Sequence, residues 1–287
     1  MVAKDLRRND PNKWRKTEVM LRHPVLRDYI PETKKLTRTS LAYMLNKYKS
    51  VYVKPEVGTG GQGVMRLEKK GARSYYCHAG LDKRSLTTFN ALISFLKSRI
   101  NGKPYLAQRG IELLKYGKNP LDVRVMIQMN PRGQWEATGL ICRVAQPGKI
   151  VTNRSNGGTV MTVRQALSRY AKGKKLRELN DKMNRAGLLT VKQLSTQYPN
   201  IKESGLDIGL DAGLKPWILE VNMSPVSKMF RELKDKRIVR KIMRYSLAYG
   251  RKLTYNIYPE QDNKPAAKVK RAGRGNPAVR RKAVRRR

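Results

Sequence analysis

The sequence predicts an α+β fold built on antiparallel strands, not a doubly wound parallel sheet. Three observations predict it. Residues 122–129 and 135–143 are strand-like and are joined by the turn residues Asn130-Pro131-Arg132-Gly133. Residues 205–210 and 217–222 form a second strand pair around a polar turn. Helical patterns lie between groups of strands instead of following every strand.

Each element has its own signal. Residues 12–26 mix charge with scattered apolar positions and predict an opening helix, which Ile30-Pro31-Glu32-Thr33 ends. Leu41, Met44, Leu45 and Tyr48 recur at helical spacing. Val51 to Lys54 is a short strand closed by Pro55, and 64–68 is a second. Leu86, Phe89, Ile93, Leu96 and Ile100 predict one amphipathic helix, and 105–108 a strand. Val123, Val125, Ile127 and Met129 alternate with Asp122, Arg124, Met126 and Gln128. One long helix is expected from Val163 to Ala186, and a last one spans Phe230, Leu233, Ile242 and Leu247. No internal repeat is visible.

Composition narrows the class. The 287 residues include 63 Lys and Arg against 21 Asp and Glu, a formal charge of +42. Apolar residues make up 39%, enough for a core, so wholesale disorder is excluded. No apolar run reaches the length of a membrane-spanning helix, and the charged start lacks the apolar stretch of a secretory signal. Two cysteines, Cys77 and Cys142, cannot form a disulfide framework or a four-thiolate zinc site, and are read as small interior hydrophobes. His23 and His78 lack partners at metal spacing. The expected compartment is reducing cytoplasm.

The charge speaks to partners. Nucleic acid, another anionic polymer or a membrane face would suit it, as would a generally basic surface with no specific ligand. Residues 251–287 hold 13 Lys and Arg against 2 Asp and Glu and read as a disordered basic tail. Fourteen tyrosines against three phenylalanines fit polar-surface packing or base stacking among basic residues.

Asp207, Glu220 and Asn222 stand out in a chain poor in acids. With Leu210 opposite Trp217, Asp207 faces Glu220 across the hairpin, and Glu220 shares a face with Asn222. Two like charges in register destabilise a sheet. A hard divalent cation would resolve the conflict with an all-oxygen ligand set; so would neighbouring Lys or Arg. Lys54 ends a strand before Gly58-Thr59-Gly60-Gly61-Gln62-Gly63, where glycines allow backbone N–H groups to approach phosphate closely. This is not a Walker A loop, because Gly-Lys-Ser/Thr is missing, nor a regular Gly-x-Gly-x-x-Gly turn. A plain flexible hairpin is the alternative. Together the loop and the acidic pair suggest nucleotide chemistry.

At these residues the sequence resembles the ATP-grasp superfamily, and within it the YheC/YheD family described as endospore coat-associated. The resemblance rests on Tyr29 to Thr33, Val51 to Pro55 with its glycines, Leu121 to Val125, Arg143 to Ala145, Val151 to Asn153 with Gly157-Gly158, Leu206 to Gly209 and Leu219 to Asn222. It implies an ATP cleft between two α+β subdomains in residues 12–250, with an N-terminal arm (1–11) before it and the tail (251–287) after it. It implies that Lys54 and Lys13 meet ATP phosphates under Gly58, Gly60, Gly61 and Gly63. Gln108 to Ile111 would form a hinge against adenine, with Glu112 near the ribose. Asp207, Glu220 and Asn222 would hold Mg²⁺, or Mn²⁺ in its place, with Asn153 near the metal and phosphates. Arg124 and Arg143 would steady a phosphate or acyl-phosphate. The implied activity is ATP-dependent carboxylate–amine (or thiol) ligation, and the basic surface suggests an anionic, carboxylate-bearing peptide or polymer as its substrate; the alternative is a non-catalytic scaffold that coats a polyanion. Only about 12 residues precede the matching stretches, so an N-terminal substrate domain is expected to be absent or much reduced.

Overall fold

A computed structural model describes residues 10–150, 152 and 158–258. The chain opens with α1 (Lys13–Leu21) and α2 (Pro24–Arg27). It continues through β1 (Thr33–Lys35), α3 (Arg38–Lys47), β2 (Val51–Pro55), β3 (Met65–Gly71), β4 (Ser74–Ala79), β5 (Asp82–Leu86), α4 (Phe89–Ile100) and β6 (Tyr105–Arg109). The second half holds β7 (Lys115–Tyr116), β8 (Asn119–Met129), β9 (Trp135–Val144), β10 (Thr159–Met161), α5 (Val163–Ala166), α6 (Gly173–Ser195), β11 (Glu203–Leu210) and β12 (Pro216–Asn222). A 3-10 turn (Lys228–Glu232) and α7 (Arg237–Ala248) follow.

The first sheet has the order β1-β6-β2-β3-β4-β5, the second β10-β9-β8-β11-β12 with β7 paired to β8. Every pairing among the described strands is antiparallel, as the α+β reading expects. Alternation gives each sheet one face for a core and one for a cleft. In the first sheet Val51, Val53, Leu67 and Ala107 pack beneath α3 and α4 through Leu41, Met44, Leu92 and Leu96. Lys54 and Gln108 lie on the other face. In the second, Val123, Val125, Ile127, Leu206 and Ile208 pack beneath α6. On the opposite face Met126 and Ile141 are covered by Phe230, Val239 and Ile242 of the C-terminal turn and helix. That cover stops short of Asp122 and Arg124, so the strand is buried on both faces at one end and meets the cleft at the other.

α1 belongs by sequence to the first half but packs with the second: Val19 and Met20 join the core beneath α6. Asn12 caps it, its side chain accepting from the Arg15 N–H. This placement carries Lys13 to the cleft.

Several expectations need correction. β4 and β5 carry no strong apolar alternation, and β5, an edge strand, exposes Lys83 and Arg84 as edge strands do to discourage pairing. Leu86 ends β5 opposite Tyr75 instead of opening the next helix, which starts at Phe89 after its Thr88 cap. The single helix expected from 163 to 186 is two, separated by a turn over 167–170 and an extended Lys172, and the second runs from Gly173 to Ser195. Leu247 is exposed, not core. Cys77 and Cys142 are free and buried. Beyond α7, Tyr255 meets Ser227 at 2.8 Å, so 251–258 lies on the body of the protein. The rest of the basic tail, and most of the N-terminal arm, fall outside the described residues.

α7 is tied to the sheet by a buried amide. Gln128 Nε2 donates to the Ile242 carbonyl (3.2 Å), Ser246 (3.1 Å) and Tyr249 (2.6 Å), and its Oε1 accepts from Thr138 (2.6 Å). Gln128→Leu strands these partners in an apolar setting and is expected to lower stability by about 1–3 kcal/mol, read from a urea midpoint.

Candidate nucleotide and phosphate site

The hairpin of β11 and β12 sets the acidic face, but not by the expected register. Gly209 pairs with Trp217 and Leu210 with Pro216. A bulge then leaves Leu219 without a partner, and from there Asp207 faces Glu220 and Gly205 faces Asn222. The expected facing pair is therefore correct although the turn end is shifted by one. The bulge also frees the Leu219 carbonyl, which accepts from Lys54 Nζ at 3.0 Å.

Lys54 is buried on the cleft face of β2. Gln108 Oε1 is its second acceptor at 2.9 Å, and Gln108 Nε2 in turn donates to Thr33. Burial pulls the Lys54 ammonium down to about 8; Glu220 opposes that shift, while Lys13 and Lys16 add to it. Lys13 Nζ donates to the Gly58 carbonyl at 2.6 Å and lies 3.7 Å from Glu220 Oε1. It thus joins the glycine loop to β12. In that loop Gly60, Gly61 and Gly63 all have φ near +70°, and a Cβ on Gly63 would sit 2.6 Å from the Tyr105 hydroxyl.

Behind the loop lies a buried quartet of alternating charge. Arg124 Nε donates to Asp207 Oδ1 at 2.5 Å. Arg143 meets Asp207 Oδ2 at 2.9 Å and grips both oxygens of Asp122, one at 2.8 Å. Thr152 Oγ1 donates to Asp122 at 2.6 Å. Burial works to raise the Asp207 pKa, but Arg124 and Arg143 overcome it and hold the carboxyl below its ordinary value. For Arg143, Asp122 and Asp207 outweigh burial and raise its pKa. Gly205 makes room for this: a Cβ there would lie 3.1 Å from an Arg124 terminal nitrogen.

The like-charge conflict between Asp207 and Glu220 is therefore relieved by arginine and lysine, so register alone no longer calls for a metal. Among the described residues no group of three or more His, Cys, Asp or Glu is arranged to hold one. Glu220, Asn222 and Asp207 nevertheless line one cavity of about 560 Å³ with Arg124, Arg143 and Gly60. Glu220 and Asn222 offer hard oxygen donors of the type Mg²⁺ takes, while both oxygens of Asp207 are already engaged by Arg124 and Arg143.

A second cavity, about 120 Å³, lies between the sheets; Lys54, Gly61, Gln108, Ile111, Arg143 and Glu220 are among its walls. The structure thus gathers Lys13, Lys54, the loop glycines, Gln108, Ile111, Arg124, Arg143, Asp207, Glu220 and Asn222 along one cleft. Glu112 is exposed at its mouth and pairs with Lys49 at 3.4 Å. Asn153 falls outside the described residues. Sequence reading gave no role to Asp122, Thr152 or Lys16. Asp122 pairs with Arg143 in the β8–β9 ladder, where a bulge hides the register. Lys16 is three residues after Lys13 on the same helix face, a spacing that was open to view.

Comparison with known proteins agrees with this architecture. Residues 7–253 match the model of the YheC/D-like ATP-grasp family, and the chain belongs to that family. It is 28% identical over 226 residues to the endospore coat-associated protein YheD of Bacillus subtilis (strain 168), covering 76% of this chain and 49% of that protein. It is 30% identical over 223 residues to YheC of the same organism, covering 76% and 61%. The chain thus spans about half to three-fifths of the length of these relatives. Among solved structures, D-cycloserine synthetase DcsG superposes with a TM-score of 0.52 at 10% identity, covering 81% of this chain and 69% of that one; the likeness is one of fold.

The quartet predicts a difference between the two acids. Asp207→Asn leaves two buried guanidiniums short of charge and is expected to cost about 3–5 kcal/mol, whereas the half-buried Glu220→Gln should cost under about 1 kcal/mol, both by urea unfolding.

Proposed function

We propose that the chain is an ATP-dependent ligase that joins a carboxylate to an amine through an acyl-phosphate. The observation that carries this reading is the buried Lys54 ammonium, aimed with Lys13 and the glycine loop into a cleft whose far wall is the Arg124–Asp207–Arg143 cluster. Membership of an ATP-grasp family supports it.

In this reading a substrate carboxylate oxygen attacks the terminal phosphorus of ATP and ADP leaves. The amine then attacks the acyl carbon, phosphate departs with the C–O bonding pair, and loss of a proton from nitrogen leaves the amide. Lys54 and Lys13 hold the phosphates, with loop N–H groups beside them. Arg124 and Arg143 offset charge on the acyl-phosphate from fixed positions, since the acids already orient them. Glu220 and Asn222, beside Asp207, would hold Mg²⁺, which supplies charge neutralisation on the transferring group. The basic surface suits an anionic peptide or polymer as the carboxylate donor. The naming of both relatives as endospore coat-associated supports a role at that layer. Among the described residues no helix is long and apolar enough to cross a membrane.

A non-catalytic scaffold is the second reading. One observation favours it: the quartet is internally neutralised and stable without a ligand. ADP release separates the two. With acidic peptides and an amine supplied, the ligase reading expects ATP- and amine-dependent ADP formation that Lys54→Ala lowers about 10²- to 10³-fold. No ADP from any acidic acceptor would favour the scaffold.

The lysine also sets a pH dependence. ATP phosphates need the Lys54 ammonium, which loses its proton near pH 8 in the free protein. Affinity for ATP should be flat below pH 8 and weaken above it, with Lys54→Met reducing the slope and Lys16→Met/Lys54→Met flattening it. Titrations between pH 7 and 9 check it.

A further inference from the structure

Glu56, a buried carboxylate of the first half, lines neither cavity of the cleft. It follows β2, two residues after Lys54. Its Oε2 accepts from Asn12 Nδ2 at 3.0 Å, and no Lys, Arg or His pairs with it among the described residues. In a chain with 63 Lys and Arg against 21 Asp and Glu, a buried acid that meets an amide and no cation stands apart. Burial of such a group carries a desolvation cost that a solvated surface position would avoid.

The contact fixes the start of α1. Asn12 Oδ1 accepts from the Arg15 N–H as the helix cap, which turns its Nδ2 toward Glu56. The Lys13 N–H is one of the donors that a helix start leaves without an intrahelical acceptor, and it donates to the Glu56 carbonyl at 2.8 Å. At the far end of the same residue, Lys13 Nζ reaches the Gly58 carbonyl at 2.6 Å. Residues 56–58 therefore grip Lys13 by its backbone and by its ammonium. Just before the cap, the Asp10 carboxylate accepts from the hydroxyl of Tyr198, beyond α6, at 2.9 Å and from Arg15 at 2.8 Å. The start of α1 is thus bound to the second half through Asp10 and to the end of β2 through Glu56.

We infer that Glu56 is a positioning residue: it sets the place of Lys13 relative to Lys54, and so the fit of the two ammoniums to a polyphosphate. Lys54 is held by β2 and by its bonds to Gln108 and the Leu219 carbonyl. Lys13 comes from a helix packed on the other half, and the clasp at Glu56 joins its backbone to the strand that carries Lys54. A cap that served α1 alone would need Asn12 Oδ1 and no carboxylate facing Nδ2. The consequence for ATP rests on the ligase reading; the placement of Lys13 does not.

Three variants of the full chain separate positioning from capping. Glu56→Ala removes the acceptor, Glu56→Gln keeps one, and Asn12→Asp keeps the cap oxygen but sets a second carboxylate against Glu56. Calorimetry with ATP and Mg²⁺ at high ionic strength is expected to show about tenfold weaker binding for Glu56→Ala and for Asn12→Asp, and a change under about threefold for Glu56→Gln. In a Lys13→Met background Glu56→Ala should cost less than about twofold, because its effect runs through Lys13. Unchanged affinity in both Glu56→Ala and Asn12→Asp, or an equal loss with and without Lys13, would overturn the assignment. Lysine acylation read by mass spectrometry follows the clasp without nucleotide. Labelling of Lys13 should rise at least about fivefold over wild type in Glu56→Ala and Asn12→Asp, and not in Glu56→Gln. Labelling of Lys13 that stays at the wild-type rate in all three would also overturn it. A wild type that binds no ATP, with labelling as expected, would support the placement of Lys13 and count against the ligase reading.

Discussion

A balanced set of four buried charges, Asp122 and Asp207 against Arg124 and Arg143, is the constraint on which the layout of the site depends. Alone at such burial either carboxylate would be driven to take up a proton, and either guanidinium, which stays charged, would be left uncompensated at a cost of several kcal/mol. Together they fix the register of three neighbouring strands, because Asp207 sits opposite Arg124 on one side and Asp122 opposite Arg143 on the other. A slip of one residue would turn all of them toward the core beneath α6 and expose Val123, Val125 and Ile208. The same network that pins the sheet presents two guanidiniums and a carboxylate to the cleft, so stability and site geometry share one cause.

The opposite wall is organised by lysines. Lys13, Lys16 and Lys54 are all buried, and Glu220 is the carboxylate that acts on both Lys16 and Lys54. Burial also pulls Lys16 down to about 8, as it does Lys54. Desolvation is the largest cost on both, and an arriving triphosphate would offset it directly. The glycine loop hangs over this cluster through the contact from Lys13 to Gly58. Two unlike walls, one self-neutralised and one short of negative charge, therefore face each other across the cavity between the sheets.

Much of this was legible in the sequence. The antiparallel α+β class followed from turn chemistry between strand-like segments, and Asp207 was placed opposite Glu220 from spacing alone. That placement was right for an incomplete reason: a bulge at Leu219 shifts the turn end, and no residue type announces a bulge. Lys54 and the glycines were visible because strand, lysine and glycines are contiguous. Lys13 emerged only through resemblance, since its place in the cleft depends on α1 packing with the far half of the chain. The partners of Arg124 and Arg143 were hidden, because ion pairs between strands are set by register, and Asp122 lies 21 residues from Arg143. β4 and β5 escaped notice because charged edge strands lack the apolar alternation that marks a strand.

The account stands on the cleft being a Mg²⁺-dependent ATP site. The most direct test is calorimetric titration of ATP into the full chain at high ionic strength, with and without Mg²⁺, on the wild type and on Glu220→Ala. High salt suppresses non-specific anion binding to a protein of charge +42. The account predicts binding that requires Mg²⁺ and is lost in the variant. Binding that is absent, or indifferent to both Mg²⁺ and the substitution, would contradict it.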